Sequence, residues 1–521
     1  MADAARRRRL PAFRLRYLAA GMASTVVLGA STALWAAGVV PAGAMAEWFS
    51  PGEARTLPVT SAYENAHGKV GLLSADGAVQ TKGHAFFEPI GTNGRACVTC
   101  HQPAQGMSVS AEQLQARWKA TSGRDPVFAA VDGSNCPTLP QHLESSHSLL
   151  LERGLFRIAL AWPPKNPEGG AIKPEFDIEV VRDPTGCNSG AVYGINGSKP
   201  AVSVYRRARP VGNLKFVAAS GGILNARLLN VKTGYPLDRD PETGDLVSMT
   251  IMADARNPTL KAQALEAGFA HLQMKQALTK SQLDQILTFE RQLYVAQSHD
   301  RWGNSLEGGT AKAGPKSLLE GRRVAGDSFV TPVFPYFTDW EDAAKNAHLT
   351  AEQREFRASV VRGNRIFLER PIWIRDSTHM NTVGLGNPLK RTCTTCHNGR
   401  HSGMEMAPGY IDIGTTNAPW AKESDELPLF KLTCHKSARP HPFLGRVIYT
   451  QDPGRALISG LCADIGSITT QQMRALAARA PYFSNGSAAN LGEIVDFYNR
   501  RFNIGFTDQE RQDLINFLSV L

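Results

Sequence analysis

Cys97-Val98-Thr99-Cys100-His101 and Cys393-Thr394-Thr395-Cys396-His397 are two copies of one pentad, and their reading decides the fold. In such a pentad the two thiols add to the vinyl groups of a haem. The adjacent imidazole lies beneath the iron as proximal ligand, so the spacing follows porphyrin geometry. Chance supplies on the order of 0.003 such pentads in a chain of this composition, so two make a specific signal. Structural zinc and a redox dithiol are the rival readings. Zinc pairs rarely carry a histidine directly after each second cysteine, and a dithiol has no need of one. Each pentad is therefore expected to fasten one haem c, through Cys97, Cys100 and His101 and through Cys393, Cys396 and His397, with His101 and His397 on the irons.

The amino terminus agrees with haem attachment outside the cytoplasm. Residues 1–46 contain Arg6-Arg7-Arg8-Arg9, an apolar stretch over 17–40 and the small-x-small sequence Ala44-Met45-Ala46. A basic flank before an apolar run holds the terminus in the cytoplasm and sends the remainder across. The run exceeds an ordinary signal core, so a cleaved signal peptide and a retained membrane anchor both stay open. Either places the protein in the periplasm, soluble or anchored to the inner membrane. Removing this leader takes away six arginines and one aspartate, and the net charge falls from +10 to +5. Haem propionates reduce it further, so the basic balance makes no case for nucleic acid. Cys136, Cys187, Cys434 and Cys462 remain, an even number. Local pairing, Cys136 with Cys187 and Cys434 with Cys462, is expected to contribute ~3–4 kcal/mol per bridge.

The pattern reads as mainly α: two c-type cytochrome-like haem domains joined by a linker, with irregular or extended insertions in the first. The expected divisions are 1–46 (leader), 47–302 (first haem domain), 303–345 (linker, around the Gly-rich stretch 303–316) and 346–521 (second haem domain). Residues 351–367 have helical apolar spacing, with Gly363 placed for close packing. Thr507-Asp508-Gln509-Glu510 is a capping box ahead of Leu514, Ile515, Phe517 and Leu518. Residues 281–297 read as another amphipathic helix, and 176–180 and 201–205 alternate like strands or extended loops.

Three further stretches resemble a known family. Ala480-Pro481-Tyr482-Phe483-Ser484-Asn485-Gly486-Ser487, with Leu491 and Glu493-Ile494-Val495-Asp496-Phe497-Tyr498-Asn499, is similar to the carboxy-terminal signature of bacterial di-haem cytochrome c peroxidases and MauG-type proteins. Arg362-Gly363-Asn364-Arg365-Ile366-Phe367 resembles the family's Arg-Gly-x-x-x-Phe helix. Met252-Ala253-Asp254-Ala255-Arg256, with Leu260 and Gln263-Ala264, resembles its Trp-Asp-Gly-Arg...Leu-x-x-Gln-Ala segment. The likeness covers roughly 250–300 and 355–521 plus the first pentad, and 105–245 match poorly.

The resemblance implies that hydrogen peroxide is activated at the amino-terminal haem. Electrons from a small cytochrome or cupredoxin would be relayed through the carboxy-terminal haem. Gln263 corresponds to a glutamine of the peroxide pocket. The family's catalytic glutamate position falls on Gln273, which cannot carry a proton. Nearby His271 is the titratable substitute, set against a packing role, while Glu266 reads as a solvated charge. Ala253 stands where the family places a tryptophan between the haems. No histidine follows the first pentad until His142, so an open first haem is the simplest expectation. Tyr498 falls at the sixth ligand of the second iron, with His401, Met404 and Met406 as competitors. Calcium between the domains, found in some relatives, stays open. Two alternatives accompany the peroxidase reading. One is a MauG-like oxidase or oxygenase of a protein or organic substrate. The other is a non-enzymatic electron carrier with His142 or His147 closing the first iron.

Overall fold

Strands β1 (Thr60–Asn65) and β2 (Gly68–Ser74) form a hairpin, and β2 pairs on its other edge with β6 (Leu293–His299). Gly68 has φ +127°, and a Cβ there would lie 2.2 Å from the His299 carbonyl oxygen, so only glycine fits the turn. The computed structural model describes residues 47–166, 169–219, 247–248, 250–307, 311–321, 337–377, 386–398 and 409–521. The leader, His401, Met404, Met406 and much of the expected linker lie outside the described residues.

The chain is mixed rather than mainly α, with 31% helix and 20% strand. The expectation failed because the alternating runs of the middle segment find partners that satisfy their backbone groups. β3 (Leu155–Ala161) pairs antiparallel along its whole length with β5 (Ala201–Arg207). β4 (Phe176–Arg182) pairs with β7 (Leu429–Cys434), which pairs in turn with β8 (Val447–Thr450). A strand's free energy depends on its partner, and partners so distant in sequence leave no local signature.

The first helices that matter for the site are α1 (Leu260–His271), started by the Thr259 side chain, and α2 (Lys280–Gln292). A reciprocal Thr279/Gln282 capping box starts α2. The helix expected over 281–297 stops at Gln292, where Leu293, Tyr294 and Val295 enter β6. Aromatic and β-branched side chains pack better on a sheet than against the preceding helical turn.

Farther on, α3 (Ala351–Glu369) packs on α5 (Asp508–Leu518), each started by a capping box, Thr350/Gln353 and Thr507/Glu510. Their axes approach at Gly363, where a Cβ would lie 2.0 Å from the Asp513 carbonyl oxygen. Between them in sequence, α4 (Leu491–Phe502) begins at Asn490, whose side chain accepts from Glu493 N, and carries Tyr498. Two apolar clusters underlie the site: one around Phe86, Val98, Leu260, Ile286 and Phe289, the other around Phe356, Phe367, Val495, Leu514 and Phe517. Disulfides join Cys136 to Cys187 and Cys434 to Cys462, the pairing expected from their spacing. No helix among the described residues is long and apolar enough to cross a membrane.

Candidate functional site

The first pentad turns as a short 3-10 helix, Cys97–Thr99, which the Gln102 side chain fastens. Its amide donates to Val98 O at 2.7 Å and Phe49 O at 3.0 Å, and its carbonyl accepts from Phe49 N at 2.9 Å. Cys97 and Cys100 are free thiols. The His101 Nδ1 lies 3.2 Å from the Met107 carbonyl, so a proton there is donated to the backbone and Nε2 is left as the ligating atom. Burial pushes the His101 imidazole down to about 4, outweighing the Met107 bond, and holds it in the neutral form a metal needs.

These groups line a cavity shared with Met252, Ala253, Gln263 and His271. His271 Nδ1 is 2.5 Å from Asp132 Oδ2, and Asp132 is ion-paired with fully buried Arg95. Burial raises the Asp132 carboxyl, but Arg95 and His271 outweigh burial and hold it below the usual carboxylate range. The carboxylate thereby fixes the Nδ1–H tautomer of His271. Gln273 is exposed and is not on the cavity wall. Glu266 is part-exposed and paired: it accepts from Arg256 Nε at 2.7 Å and from Asn257. Through Arg256 it joins buried Asp254, Arg206 and Asp452 in an ion network that no sequence motif marks. The network braces the turn around Ala255, whose φ of +56° keeps a left-handed backbone where the family pattern has glycine.

His142 is exposed, and neither it nor His147 lines the cavity. Both His147 ring nitrogens face carbonyls, Gly133 O at 2.7 Å and Gln141 O at 3.0 Å. Met252, which nothing in the sequence singles out as a ligand, is on the wall of this cavity.

The second pentad forms a matching turn, Cys393–Thr395, with Cys393 and Cys396 outside any disulfide. It faces a second cavity of about 1590 Å³ walled by Phe367, Ile372, Ile411, Ile494 and Phe502. His397 Nε2 lies 3.4 Å from the Tyr498 hydroxyl oxygen, which α4 carries across the cavity. Burial, reinforced by Cys396 and Cys393, pushes the Tyr498 phenol upward, so without a metal it keeps its proton. Two cysteines outside any disulfide and an imidazole facing an apolar cavity fit a covalently held haem in both places. No cluster of three or more His, Cys, Asp or Glu side chains able to hold a metal occurs among the described residues, so none marks a calcium site.

Arg207 and Ala208 line both cavities. Thr469 N, on the second cavity, donates to Ala253 O, on the first, at 2.8 Å.

The two pentads and the cavities they face fit a c-type haem protein. Part of the chain is similar in sequence to bacterial cytochrome-c peroxidases. It is 30% identical over 146 residues, 25% of this chain, to the cytochrome-c peroxidase IdrP1 of Pseudomonas sp. (strain SCT). It is 27% identical over 239 residues, 42% of this chain, to IdrP1 of Denitromonas iodatirespirans. The matches span 37% and 60% of those relatives' lengths. No protein-family model matches. Among solved structures, a MauG-like protein associated with microbial copper homeostasis superposes with TM-score 0.25 at 15% identity, covering 62% of this chain and 76% of its own. The hydrazine synthase of Kuenenia stuttgartiensis superposes with TM-score 0.27 at 13% identity, covering 79% and 93%. Superpositions this loose define no detail of the fold.

Proposed function

We propose that this chain is an exported oxidoreductase carrying two haem c groups, which reduces hydrogen peroxide to water at the His101 cavity. Two electrons, drawn from a small reduced cytochrome or cupredoxin through the His397 cavity, and two protons complete the conversion of one peroxide to two waters. Bound haem supplies the redox-active iron. The observation that carries the reading is His271, tied through Nδ1 to buried Asp132 on the wall of the cavity that His101 faces. Its Nε2 then accepts a proton from one peroxide oxygen and returns it to the other. Gln263, on the same wall, has an amide to orient the peroxide. Removal of His142 and His147 from that wall favours an open iron over a purely electron-carrying one.

A second reading has its own support. Tyr498, 3.4 Å from His397 Nε2, favours a MauG-like oxidase or oxygenase, because an oxygen ligand suits ferric and more oxidised iron. Low-temperature EPR of the oxidised holoprotein, before and after stoichiometric peroxide, tests both. A high-spin ferric signal that peroxide removes, with oxidation of an added reduced cytochrome, supports the peroxidase. The same loss without cytochrome oxidation supports the oxidase. Two low-spin signals indifferent to peroxide overturn both, and Met252 then becomes the ligand to test.

A further inference from the structure

Four arginines stand around the wall that separates the two cavities, and they fall into two kinds. Arg206 is neutralised: its guanidinium forms ion pairs with Asp452, Nε to Oδ2 at 2.6 Å, and with Asp254. Arg207, Arg209 and Arg479 are not. Arg207 donates to four carbonyls, among them Val109 O at 2.7 Å and Arg479 O at 2.8 Å. Arg479 donates to Ala475 O, Gln472 O and Arg474 O at 2.9–3.1 Å. Arg209 donates to Met252 O, Thr469 O, the Thr469 hydroxyl and Thr470 O. Among the described residues no carboxylate lies within ion-pair distance of any of the three.

Arg207 and Arg479 are 7% and 5% exposed, and Arg209 is part-exposed toward the cavity it lines. Enclosure depresses all three: Arg207 and Arg209 to about 9 and Arg479 to about 10, with Arg479 adding to the effect on Arg207. The same enclosure leaves Arg206, with its two aspartates, raised. Charged groups taken out of water need a counter-charge, and guanidinium selects a planar carboxylate. Their positions say where it comes from. Arg209 is on the wall of the first cavity, Arg479 on that of the second, and Arg207 on both.

We infer that Arg207, Arg209 and Arg479 receive the propionate carboxylates of the two haems, so that the acidic edges of both porphyrins turn toward this shared wall. The inference rests on the reading that both pentads carry haem. It also gives the wall a role in place of the absent tryptophan. Ala253 and Thr469, joined backbone to backbone, and the Arg207 guanidinium form the direct protein link between one cofactor edge and the other.

Spectroelectrochemical titration of the holoprotein tests this, after mass spectrometry has counted the attached haems. Fewer than two haems would defeat the haem reading itself and with it the inference. With two present, Arg209→Gln is expected to lower the midpoint potential of the first haem and Arg479→Gln that of the second, because removing a cation favours the oxidised iron. Arg209→Lys should return the first midpoint toward its original value. Midpoints that do not move, or that move together whichever arginine is changed, would overturn the assignment. Should the glutamine variants fail to fold, the unmodified holoprotein decides. Propionates held by guanidinium stay ionised, so both midpoints should be flat between pH 5 and 8. A slope approaching 59 mV for each tenfold change in proton concentration would overturn the inference.

Discussion

His271 and Asp132 stand 139 positions apart in sequence and 2.5 Å apart in space, and Arg95, two residues before the first pentad, closes the set from the other side of the carboxylate. The proposed proton carrier is thus anchored to the haem-binding turn itself. His271 O also accepts from Asn93 Nδ2 at 2.8 Å.

Replacing His271 by Ala should leave haem attachment intact, since no thiol or proximal imidazole changes. The reaction with peroxide is expected to slow by roughly 10²–10⁴-fold, the usual worth of a positioned general acid or base. Stopped-flow spectroscopy of the ferric holoprotein measures it, and an unchanged rate would assign His271 to packing alone.

Asp132→Ala strands a fully buried guanidinium, and loss of one partner of a buried pair costs about 3–5 kcal/mol. The pH dependence has a definite sign. The folded carboxyl lies below its unfolded value of ~3.9, so its stabilisation is complete above that value and is lost as pH falls through the lower, folded one. Urea denaturation of parent and variant between pH 3 and 7 should show the gap narrowing toward the acid end.

Tyr498→Met exchanges an oxygen for a thioether on the cavity side that faces His397. The second haem's midpoint potential is expected to rise and its ferric spectrum to change, because sulfur favours ferrous iron. If His401, Met404 or Met406 is the sixth ligand, neither quantity moves.

Gly363→Ala sets two effects against each other. Helix propensity favours alanine by about 1 kcal/mol. The added carbon would meet Asp513 O at 2.0 Å and Phe517 Cβ at 2.8 Å, and overpacking costs about 1–3 kcal/mol. Since backbone cannot swing aside as a side-chain tip can, net destabilisation is expected, visible as a lower denaturation midpoint.

Local chemistry was legible in the sequence and distant pairing was not. The pentads, the Thr507/Glu510 box and Gly363 could be read because each acts within a few residues or through one sterically demanding atom. The mixed fold could not, because Ile178 meets Leu432 and Ile158 meets Val204 only after long stretches of chain have folded back. The site divides the same way. Gln263 was singled out by its place in a family pattern and His271 by its nearness to Gln273, whereas Asp132, Asp452 and the arginines at 206–209 carry no motif. Three arginines in the four-residue run 206–209, beside a strand-like stretch, were the available signal.

The pairing of 176–182 with 429–434 bears on how such a protein is made. A polypeptide that crosses a membrane amino end first delivers Cys97 and Cys100 for haem ligation while the chain near Leu432 is still on the other side. During that interval the strand at 176–182 has a bare edge, a template for mispairing with a neighbouring chain. The charged residues along it, Asp177, Glu179 and Arg182, are the kind that blunt such an edge until its own partner arrives. On the proposed export and haem attachment, maturation would have an order imposed by topology: cofactor ligation first, closure of this sheet late.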